Sequence, residues 1–260
     1  MSPLFDLTGK VAVVTGSSKG IGKAIATRMA EHGAKVVISS RKAEVCQAVA
    51  DEINARFPGR AMVKAANISR KEELQALADA ALKAWGKVDI LVCNAAVNPY
   101  YGPMLKIGDE AYERTMGANI KSNLWLCNML LPQMAERKEG VVIIISSIGG
   151  LRGTDILGIY SISKAADMQL ARNLAVEWGK HNIRANCIAP GLIRTDMARA
   201  LWENPEIYKK TTRSAPLGRI GEPDEIAGAA IYLASPAGSF ATGQTFVVDG
   251  GVTVGTTSGE

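Results

Sequence analysis

The sequence has few of the residues that metal centres use, and its apolar runs are short. Only two of the 260 residues are histidine, His32 and His181, and no H-E-x-x-H pattern occurs. A metal site would therefore depend on scattered carboxylates, and we expect no catalytic metal. Apolar runs such as residues 141–145 fall far short of the roughly 18 residues that a membrane span needs. We therefore expect no membrane partner.

The chain also has few cysteines and no dense cluster of charge. Cys46, Cys93, Cys127 and Cys187 form neither a C-x-x-C motif nor a small disulfide scaffold, which favours reduced thiols in a core. The net charge is +5, but basic residues are spread along the chain, which favours a solvated surface over nucleic-acid binding. The termini carry neither a secretory leader nor a peroxisomal address. We expect a soluble, cytoplasmic protein.

The segment 11–22, VAVVTGSSKGIG, is the feature around which the chain is organised. Its four apolar residues predict a strand buried on both faces, and a helix follows the turn that begins at Thr15 and Gly16. Gly16, Gly20 and Gly22 would let backbone N–H groups at the helix start approach a pyrophosphate. The spacing departs from the G-x-G-x-x-G dinucleotide fingerprint. Tight packing of strand and helix is the alternative explanation.

Segments typical of strands and of helices alternate along the chain, with no repeat, low-complexity tract or linker. Strands are predicted at residues 11–14, 34–39, 61–65, 88–93, 141–145, 183–188 and 245–248. Helices are predicted at about residues 21–31, 43–56, 69–85, 109–137 in one or two pieces, 160–178 and 223–233. Ser69 and Glu72 form a predicted capping box for the third helix. The pattern predicts one Rossmann-type, doubly wound α/β domain over residues 1–260, with a seven-stranded parallel sheet covered by helices on both faces.

Two long loops, at about residues 97–108 and 190–216, follow strands at the edge where open α/β sheets bind ligands. Their large apolar side chains are Tyr100, Tyr101, Met104, Met197, Leu201 and Trp202. We therefore hypothesise an apolar, moderately large substrate, bordered by Tyr100, Leu157, Met197 and Trp202. The alternative is that these residues only pack the loops on the core.

Several polar residues suggest carbonyl chemistry. Tyr160 and Lys164 are four residues apart on a predicted helix, so they share one face and the ammonium favours the phenolate form of the tyrosine. Ser147 comes 13 residues earlier, at the end of the fifth strand, so both hydroxyls can be presented to one carbonyl oxygen. Taken singly, Tyr160 and Lys164 are an ordinary surface pair, Ser147 is a cap, and Asn119 is a residue at a helix kink.

Motifs in a fixed order resemble the short-chain dehydrogenase/reductase family over nearly the whole chain. They are TGSSKGIG at 15–22, CNAA at 93–96, ANI at 118–120, ISS at 145–147, YSISK at 160–164, and PG at 190–191 followed by IRTDM. Two positions depart from the family pattern. Ala96 replaces a glycine and adds only a methyl group, and Asn67 replaces the aspartate with which many relatives contact adenine. An asparagine still offers a carbonyl acceptor.

The resemblance implies a nicotinamide cofactor as the hydride carrier and a set of four catalytic residues. Tyr160 would be the general acid in reduction and the base in oxidation, and Ser147 would hold the substrate oxygen. Lys164 would also bind the nicotinamide ribose, and Asn119 would support a proton-relay water. The cofactor-binding residues that it implies are Gly16, Ser18, Lys19, Gly20, Ile21, Gly22, Ser40, Arg41, Asn67, Ile68, Asn94, Ala95, Tyr160, Lys164, Pro190, Gly191, Ile193 and Thr195.

The end of the second strand predicts NADP(H) over NAD(H). An acidic residue there would bind the adenosine ribose hydroxyls and repel a 2′-phosphate. This chain has Ser40 and Arg41 instead, and the arginine offers a forked, charged donor. Lys19 in the glycine-rich turn can reach the same phosphate from the other side. The alternative is that both cations are solvated surface charges.

The resemblance therefore implies an NADP(H)-dependent oxidoreductase that interconverts a ketone and a secondary alcohol. A 3-oxoacyl thioester reductase is the alternative enzyme, and a non-catalytic NADP(H)-binding sensor is the alternative class. The complete set of four catalytic residues favours an enzyme. Asp249, followed by two glycines, looks like the turn that joins subunits in relatives, so we expect a homotetramer. An ordinary turn is the other interpretation.

Overall fold

Seven parallel strands form one sheet in the computed structural model, which describes residues 2–255. The strands are β1 Val11–Thr15, β2 Lys35–Ser39, β3 Ala61–Val63, β4 Ile90–Cys93, β5 Gly140–Ile145, β6 Ile183–Pro190 and β7 Thr245–Val248. Their order is β3-β2-β1-β4-β5-β6-β7, and each neighbouring pair is parallel. The order reverses between β1 and β4, which is where such sheets bind ligands. The predicted Rossmann-type sheet is confirmed.

Helices connect these strands and cover both faces of the sheet. They are α1 Gly20–Glu31, α2 Ala43–Arg56, α3 Lys71–Trp85, α4 Asp109–Met116, α5 Ser122–Glu136, α6 Gly158–Trp178, α7 Arg199–Trp202, α8 Pro205–Ser214 and α9 Pro223–Ala234. A π-helical turn, Gly117–Lys121, joins α4 to α5. The long helix predicted over residues 109–137 therefore consists of two pieces.

The strand residues alternate between two cores, one on each face of the sheet. Val14 packs in the core with α1, α2 and α9, whereas Val13 packs in the core with α3, α5 and α6. Both side chains are fully buried, because successive residues of a strand point to opposite faces. The apolar run of β1 is thus explained by burial on both sides.

The predicted capping box of Ser69 and Glu72 is wrong. The N-cap of α3 is Arg70, whose side chain makes no cap hydrogen bond. The side-chain oxygen of Asn67 instead accepts from the Ser69 N–H at 3.1 Å, and the Glu73 carboxylate accepts from the Asn67 N–H at 2.7 Å. An asparagine two residues upstream satisfies the turn, so the serine hydroxyl is not needed there.

Much of the predicted loop at residues 190–216 is helical. It contains the 3₁₀ turn Asp196–Ala198, α7 and α8. The Asn204 side-chain oxygen caps α8 by accepting from the N–H groups of Glu206 and Ile207 at 3.0 and 3.2 Å. Asn204 and the proline after it are ordinary helix start signals. The helix was missed because α8 has no buried residue and hence no apolar stripe typical of a core-facing helix.

One ion pair at the start of α9 makes stability depend on pH. Both carboxylate oxygens of Glu225 accept from the Arg219 guanidinium at 2.7 Å, and one also accepts from the Glu222 N–H at 2.8 Å. The hydrogen bond from Arg219 is the largest cause that lowers the pKa of Glu225 from 4.5 to about 2. Because the folded pKa lies below the unfolded one, the stabilisation is present above pH 4.5 and is lost as pH falls towards the folded value.

We therefore expect Glu225→Gln to lower the free energy of unfolding at neutral pH by about 1 kcal/mol, a modest value because the side chain is partly exposed to solvent. The difference should shrink as the pH is lowered through this range. Urea unfolding at several pH values measures it. Glu177→Gln, at an exposed position of α6, is the matched control and should change the free energy of unfolding much less. If the loss in free energy of unfolding of Glu225→Gln were the same in acid as at neutral pH, the ion pair with Arg219 would not be its cause.

Candidate active site

The glycine-rich turn lies between β1 and α1, at the reversal point of the sheet. Gly16 and Gly20 have positive φ values of 65° and 54°, which side chains rarely adopt. A Cβ on Gly22 would lie 2.4 Å from the Gly16 carbonyl oxygen, so this glycine lets α1 pack on the turn. The side chain of Lys19, the N-cap residue, makes no bond to the first turn of α1. The N–H groups at this helix start, including that of Ile21, fit a pyrophosphate.

Asn94 and Ala95 follow β4 and hold the turn in place. The Asn94 side-chain amide donates to the Thr15 carbonyl oxygen at 2.8 Å, and the N–H groups of Asn94 and Ala95 donate to the Thr15 hydroxyl at 3.0 and 3.1 Å. Ser17 is fully buried, and its hydroxyl accepts from the Ser39 N–H at 2.8 Å. Sequence reasoning missed Thr15 and Ser17, although hydroxyl residues beside a glycine turn are a usable signal.

Ser40 and Arg41 follow β2, as the NADP(H) hypothesis requires. The Ser40 hydroxyl lies 3.1 Å from the Cys46 sulfur. Arg41 is exposed, and no hydrogen bond or ion pair is recorded for it within residues 2–255. Lys19 Nζ lies 3.2 Å from a carboxylate oxygen of Asp196. Both members of this pair are exposed to solvent, so the pair contributes little stability.

Asn67 and Ile68 follow β3 and are both half-buried, as is Ser18 in the glycine-rich turn. The Asn67 oxygen that the sequence analysis assigns to adenine already accepts from the Ser69 N–H. A carbonyl oxygen has a second lone pair, so the geometry leaves that role available.

The segment after β6 lies against the glycine-rich turn. Pro190 ends β6 and Gly191 follows it, while Ile193 is buried and Thr195 is half-buried. A Cβ on Gly20 would lie 3.1 Å from the Thr195 methyl group. The two predicted cofactor segments are therefore in contact, as one shared site requires.

Ser147 lies close to the helix that carries Tyr160. Its hydroxyl accepts from the Gly149 N–H at 3.1 Å and so caps the 3₁₀ turn Ile148–Gly150. A Cβ on Gly149 would lie 3.1 Å from the Ser161 hydroxyl and 3.4 Å from the Ser147 hydroxyl. The cap role of Ser147 and a position close to α6, the helix of Tyr160, are both present in the structure.

Tyr160 and Lys164 share one face of α6. Lys164 Nζ lies 5.8 Å from the centroid of the Tyr160 ring; the lysine is buried and the tyrosine is half-buried. The ammonium donates to the Ile145 carbonyl oxygen and to the Asp167 carboxylate, both at 2.9 Å. Burial disfavours the charged lysine, but Asp167 and Tyr160 outweigh burial and raise the pKa of Lys164 above its usual value.

Asn119 lies in the π-helical turn and is tied to α6. Its side-chain oxygen accepts from the Val97 N–H at 2.8 Å. Its side-chain amide donates to the Ser163 hydroxyl at 3.0 Å, which in turn donates to the Tyr160 carbonyl oxygen at 2.7 Å. Sequence reasoning missed Ser163, which is fully buried. The kink interpretation of Asn119 and a place in the catalytic set are compatible.

The residues predicted to border the substrate have different surroundings. Tyr100 donates its hydroxyl to a carbonyl oxygen of its own loop at 3.0 Å, and the Trp202 indole donates to the Thr195 carbonyl oxygen at 2.9 Å. Leu157 is the N-cap of α6 and is half-buried. Met197 is 62% exposed. Trp202 is thus adjacent to a predicted cofactor residue, whereas Met197 faces solvent.

Loop 97–108 packs on the start of α6. The Gly102 N–H donates to the Ile156 carbonyl oxygen at 2.9 Å, and a Cβ on Gly158 would lie 2.9 Å from the Met104 Cβ. Tyr101 and Met104 are 53% and 43% exposed. The loop therefore places exposed apolar surface near the first turn of the helix of Tyr160.

Three further features bear on other kinds of site. Within residues 2–255 no group of three or more His, Cys, Asp or Glu side chains is placed to hold a metal ion. No helix in this part of the chain is long and apolar enough to cross a bilayer. The four cysteines are buried, and each is a free thiol, which confirms the expectation of reduced core thiols.

The doubly wound sheet, the glycine-rich turn at its reversal point and the Tyr–Lys pair beside a serine are typical of Rossmann-type oxidoreductases. A family model described as Enoyl-(Acyl carrier protein) reductase matches residues 16–253. "Dehydrogenase/reductase SDR family member 4" of Bos taurus is 40% identical over 94% of this chain and 88% of its own length. "Dehydrogenase/reductase SDR family member 2, mitochondrial" of Homo sapiens is 39% identical over 94% and 86%. This chain belongs to the short-chain dehydrogenase/reductase family.

Solved structures share this fold closely. A 7α-hydroxysteroid dehydrogenase complexed with NADH and 7-oxo glycochenodeoxycholic acid has a TM-score of 0.92 and 39% identity, covering 96% of this chain and 97% of its own. A gluconate 5-dehydrogenase from Burkholderia cenocepacia J2315, in complex with NADP and tartrate, has a TM-score of 0.92 and 31% identity, covering 97% and 98%. Relatives of this fold thus include one complex with each nicotinamide cofactor.

Proposed function

We propose that this protein is an NADP(H)-dependent oxidoreductase that interconverts ketones and secondary alcohols. The observation that carries the proposal is the joining of Asn119, Lys164 and Tyr160 by hydrogen bonds and packing on α6, with Ser147 on the adjoining turn. These residues lie at the carboxyl ends of the strands, on the same side of the sheet as the glycine-rich turn. Carbonyl reduction requires a nicotinamide nucleotide that carries the hydride, a proton donor, and a hydrogen-bond donor to the carbonyl oxygen.

In the mechanism that we propose, Ser147 and Tyr160 bind the carbonyl oxygen of the substrate. In reduction the Tyr160 hydroxyl donates its proton to that oxygen, and in oxidation the phenolate accepts it back. The Lys164 ammonium favours the phenolate electrostatically. NADP(H), when bound, supplies or accepts the hydride. Gly16 to Gly22, Asn94 and Ile193 to Thr195 would hold the cofactor.

The preference for NADP(H) rests on three side chains. Ser40 brings no negative charge to the end of β2, Arg41 is exposed, and Lys19 is held only by a weak, exposed pair with Asp196. Both cations are therefore able to turn to a 2′-phosphate. One related structure holds NADH and another NADP, so the argument depends on these residues and not on the relatives.

The experiment that tests the proposed function follows NADPH oxidation with a panel of ketones and NADP⁺ reduction with the matching alcohols. An enzyme of the proposed kind reduces at least one ketone. Acetoacetyl-coenzyme A belongs in the panel, because a 3-oxoacyl thioester reductase is the alternative. A protein that binds NADPH and turns over no substrate would be a sensor, and the proposal would be wrong.

The loops around the site predict a preference for apolar, moderately large substrates. Tyr101 and Met104 present exposed apolar surface beside the helix of Tyr160, and a related structure holds 7-oxo glycochenodeoxycholic acid. We expect kcat/KM for a bulky cyclic ketone to exceed that for a small polar ketone by at least about tenfold, which corresponds to burial of only a few methylene groups. Comparable values for dihydroxyacetone and a decalone would contradict this.

The remaining proposals concern assembly and location. The Asp249 carboxylate accepts from the N–H groups of Gly251 and Thr253 at 2.8 Å, which is an ordinary turn within one chain. Phe240 is fully exposed near the edge strand β7, and Val247 of that strand is 42% exposed. Exposed apolar side chains at a sheet edge favour a protein contact, so we propose a homotetramer, which light scattering tests. We propose a cytoplasmic location, which fractionation tests.

A further inference from the structure

A buried carboxylate contacts the lysine of the proposed catalytic set. Asp167 is fully buried on α6, one turn beyond Lys164, and one of its oxygens accepts from Lys164 Nζ at 2.9 Å. Its other oxygen accepts from the side-chain amide of Asn123 on α5 at 3.0 Å. That amide also donates to the Asn119 carbonyl oxygen at 2.7 Å. Side chains alone thus connect Lys164 to the main chain at Asn119.

We propose that Asp167 and Asn123 are positioning residues that set the orientation and the net charge of the lysine beside Tyr160. This inference rests on the proposed function. The Asp167 carboxylate and the Ile145 carbonyl oxygen both accept from the ammonium, so together they hold Lys164 beside the Tyr160 ring. The negative charge of Asp167 also keeps the buried lysine charged, and the charged lysine favours the phenolate. The pair therefore determines at which pH alcohol oxidation begins.

The energetics argue against a purely structural pair. A buried ion pair loses the hydration of both charges and is often no more stable than apolar residues of the same size. Burial raises the pKa of Asp167, against the opposing effects of Lys164 and Asn123. A carboxylate kept at that cost beside the site lysine has a direct electrostatic effect on the reaction.

The titratable groups that act on this pair are one phenol and buried thiols. Within residues 2–255, the titratable groups recorded as acting on it are Tyr160 on α6 and the buried thiols Cys187 on β6 and Cys93 on β4. Cys127 on α5 hydrogen-bonds to Cys93. Burial raises the pKa of Cys187, and the hydrogen bond from Cys127, followed by burial, raises that of Cys93. Cys187 and Cys93 are therefore neutral over the working range, so the lysine, the carboxylate and the phenol decide the pH dependence.

The test compares pH profiles of alcohol oxidation by the full chain with NADP⁺, using the best alcohol of the panel. Asp167→Asn removes the charge and keeps the size. We expect the acidic limb of kcat/KM to move to higher pH by about one unit, since burial then disfavours the charged lysine and the phenolate loses its support. We also expect kcat to fall by about tenfold or more, since the lysine is less well placed. Fluorescence titration with NADPH should still show binding.

The matched control is Asp89→Asn. Asp89 is equally a buried carboxylate, 2% exposed, and pairs with Lys87 and Arg137 outside the candidate site. The Asp89→Asn variant should be less stable than the unmodified protein but should keep its pH profile of kcat/KM for alcohol oxidation. An Asp167→Asn profile that coincides with the native one would overturn the inference.

Asn123→Ala decides the matter if Asp167→Asn does not fold. It leaves the Asp167 charge but removes the link to Asn119, so kcat should fall by about fivefold or more, while KM for the alcohol and the acidic limb stay native. A native kcat would overturn the inference. If the unmodified protein turns over no alcohol, the proposed function and this inference both fail. If the unmodified protein is active and both variants share its kcat and its pH profile, only this inference fails.

Discussion

Tyr160→Phe should lose most of its turnover while still binding NADPH. The substitution removes only the phenolic hydroxyl and keeps the ring that lies over Lys164. General acid–base catalysis contributes roughly 10²–10⁴ to the rate, so kcat should fall by at least that factor in both directions of the reaction. Steady-state kinetics at saturating ketone and NADPH measures the loss, and fluorescence titration measures the retained binding.

The matched control is Tyr112→Phe, which removes the same hydroxyl from a tyrosine on α4 that is 40% exposed. Its kcat should equal that of the native enzyme within error. If Tyr160→Phe retained near-native kcat, the tyrosine would have no place in the mechanism. If both binding and turnover were lost, the residue would act through the fold instead.

Ser40→Asp combined with Arg41→Ile should shift the cofactor preference from NADP(H) towards NAD(H). The aspartate repels a 2′-phosphate and can accept from ribose hydroxyls, and the isoleucine removes the exposed guanidinium. A hydrogen bond to a charged group contributes about 1.5–3 kcal/mol, so the ratio of kcat/KM values for the two cofactors should change by roughly 10²-fold.

Lys180→Ile serves as the control, because it removes an exposed cation that follows α6, away from the predicted phosphate site. Its cofactor ratio should match the native ratio. Equal or better kcat/KM with NADH in the unmodified protein would show that the cations after β2 do not select the cofactor.

The sequence predicts the sheet well because local signals and burial agree there. β1 is apolar on both faces, and it packs against two cores as a central strand does. The first helix ends at Glu31, as predicted, and Gly33 just beyond it has a positive φ of 101°, which favours such an end. The capping box at Ser69 failed because Asn67 and Glu73 hold that turn instead.

The candidate site was only partly predictable. Tyr160 and Lys164 were found because helical spacing brings their side chains together. Asp167 lies three residues beyond Lys164, and Asn123 lies four residues beyond Asn119. The same helical spacing therefore predicts that each of them contacts the earlier residue. Their partnership was not predictable, because it joins two helices whose distance only tertiary packing sets. For the same reason the sequence did not show that Lys19 pairs with Asp196.

The most direct test of the central claim follows the hydride itself. The native protein is incubated with a ketone that it reduces and with NADPH carrying deuterium at one of the two transferable positions of the nicotinamide ring. The account predicts that one of the two stereoisomers of labelled NADPH yields an alcohol with a single deuterium on its carbinol carbon, detected by mass spectrometry. NADPH binding without any labelled alcohol, across the whole ketone panel, would contradict it.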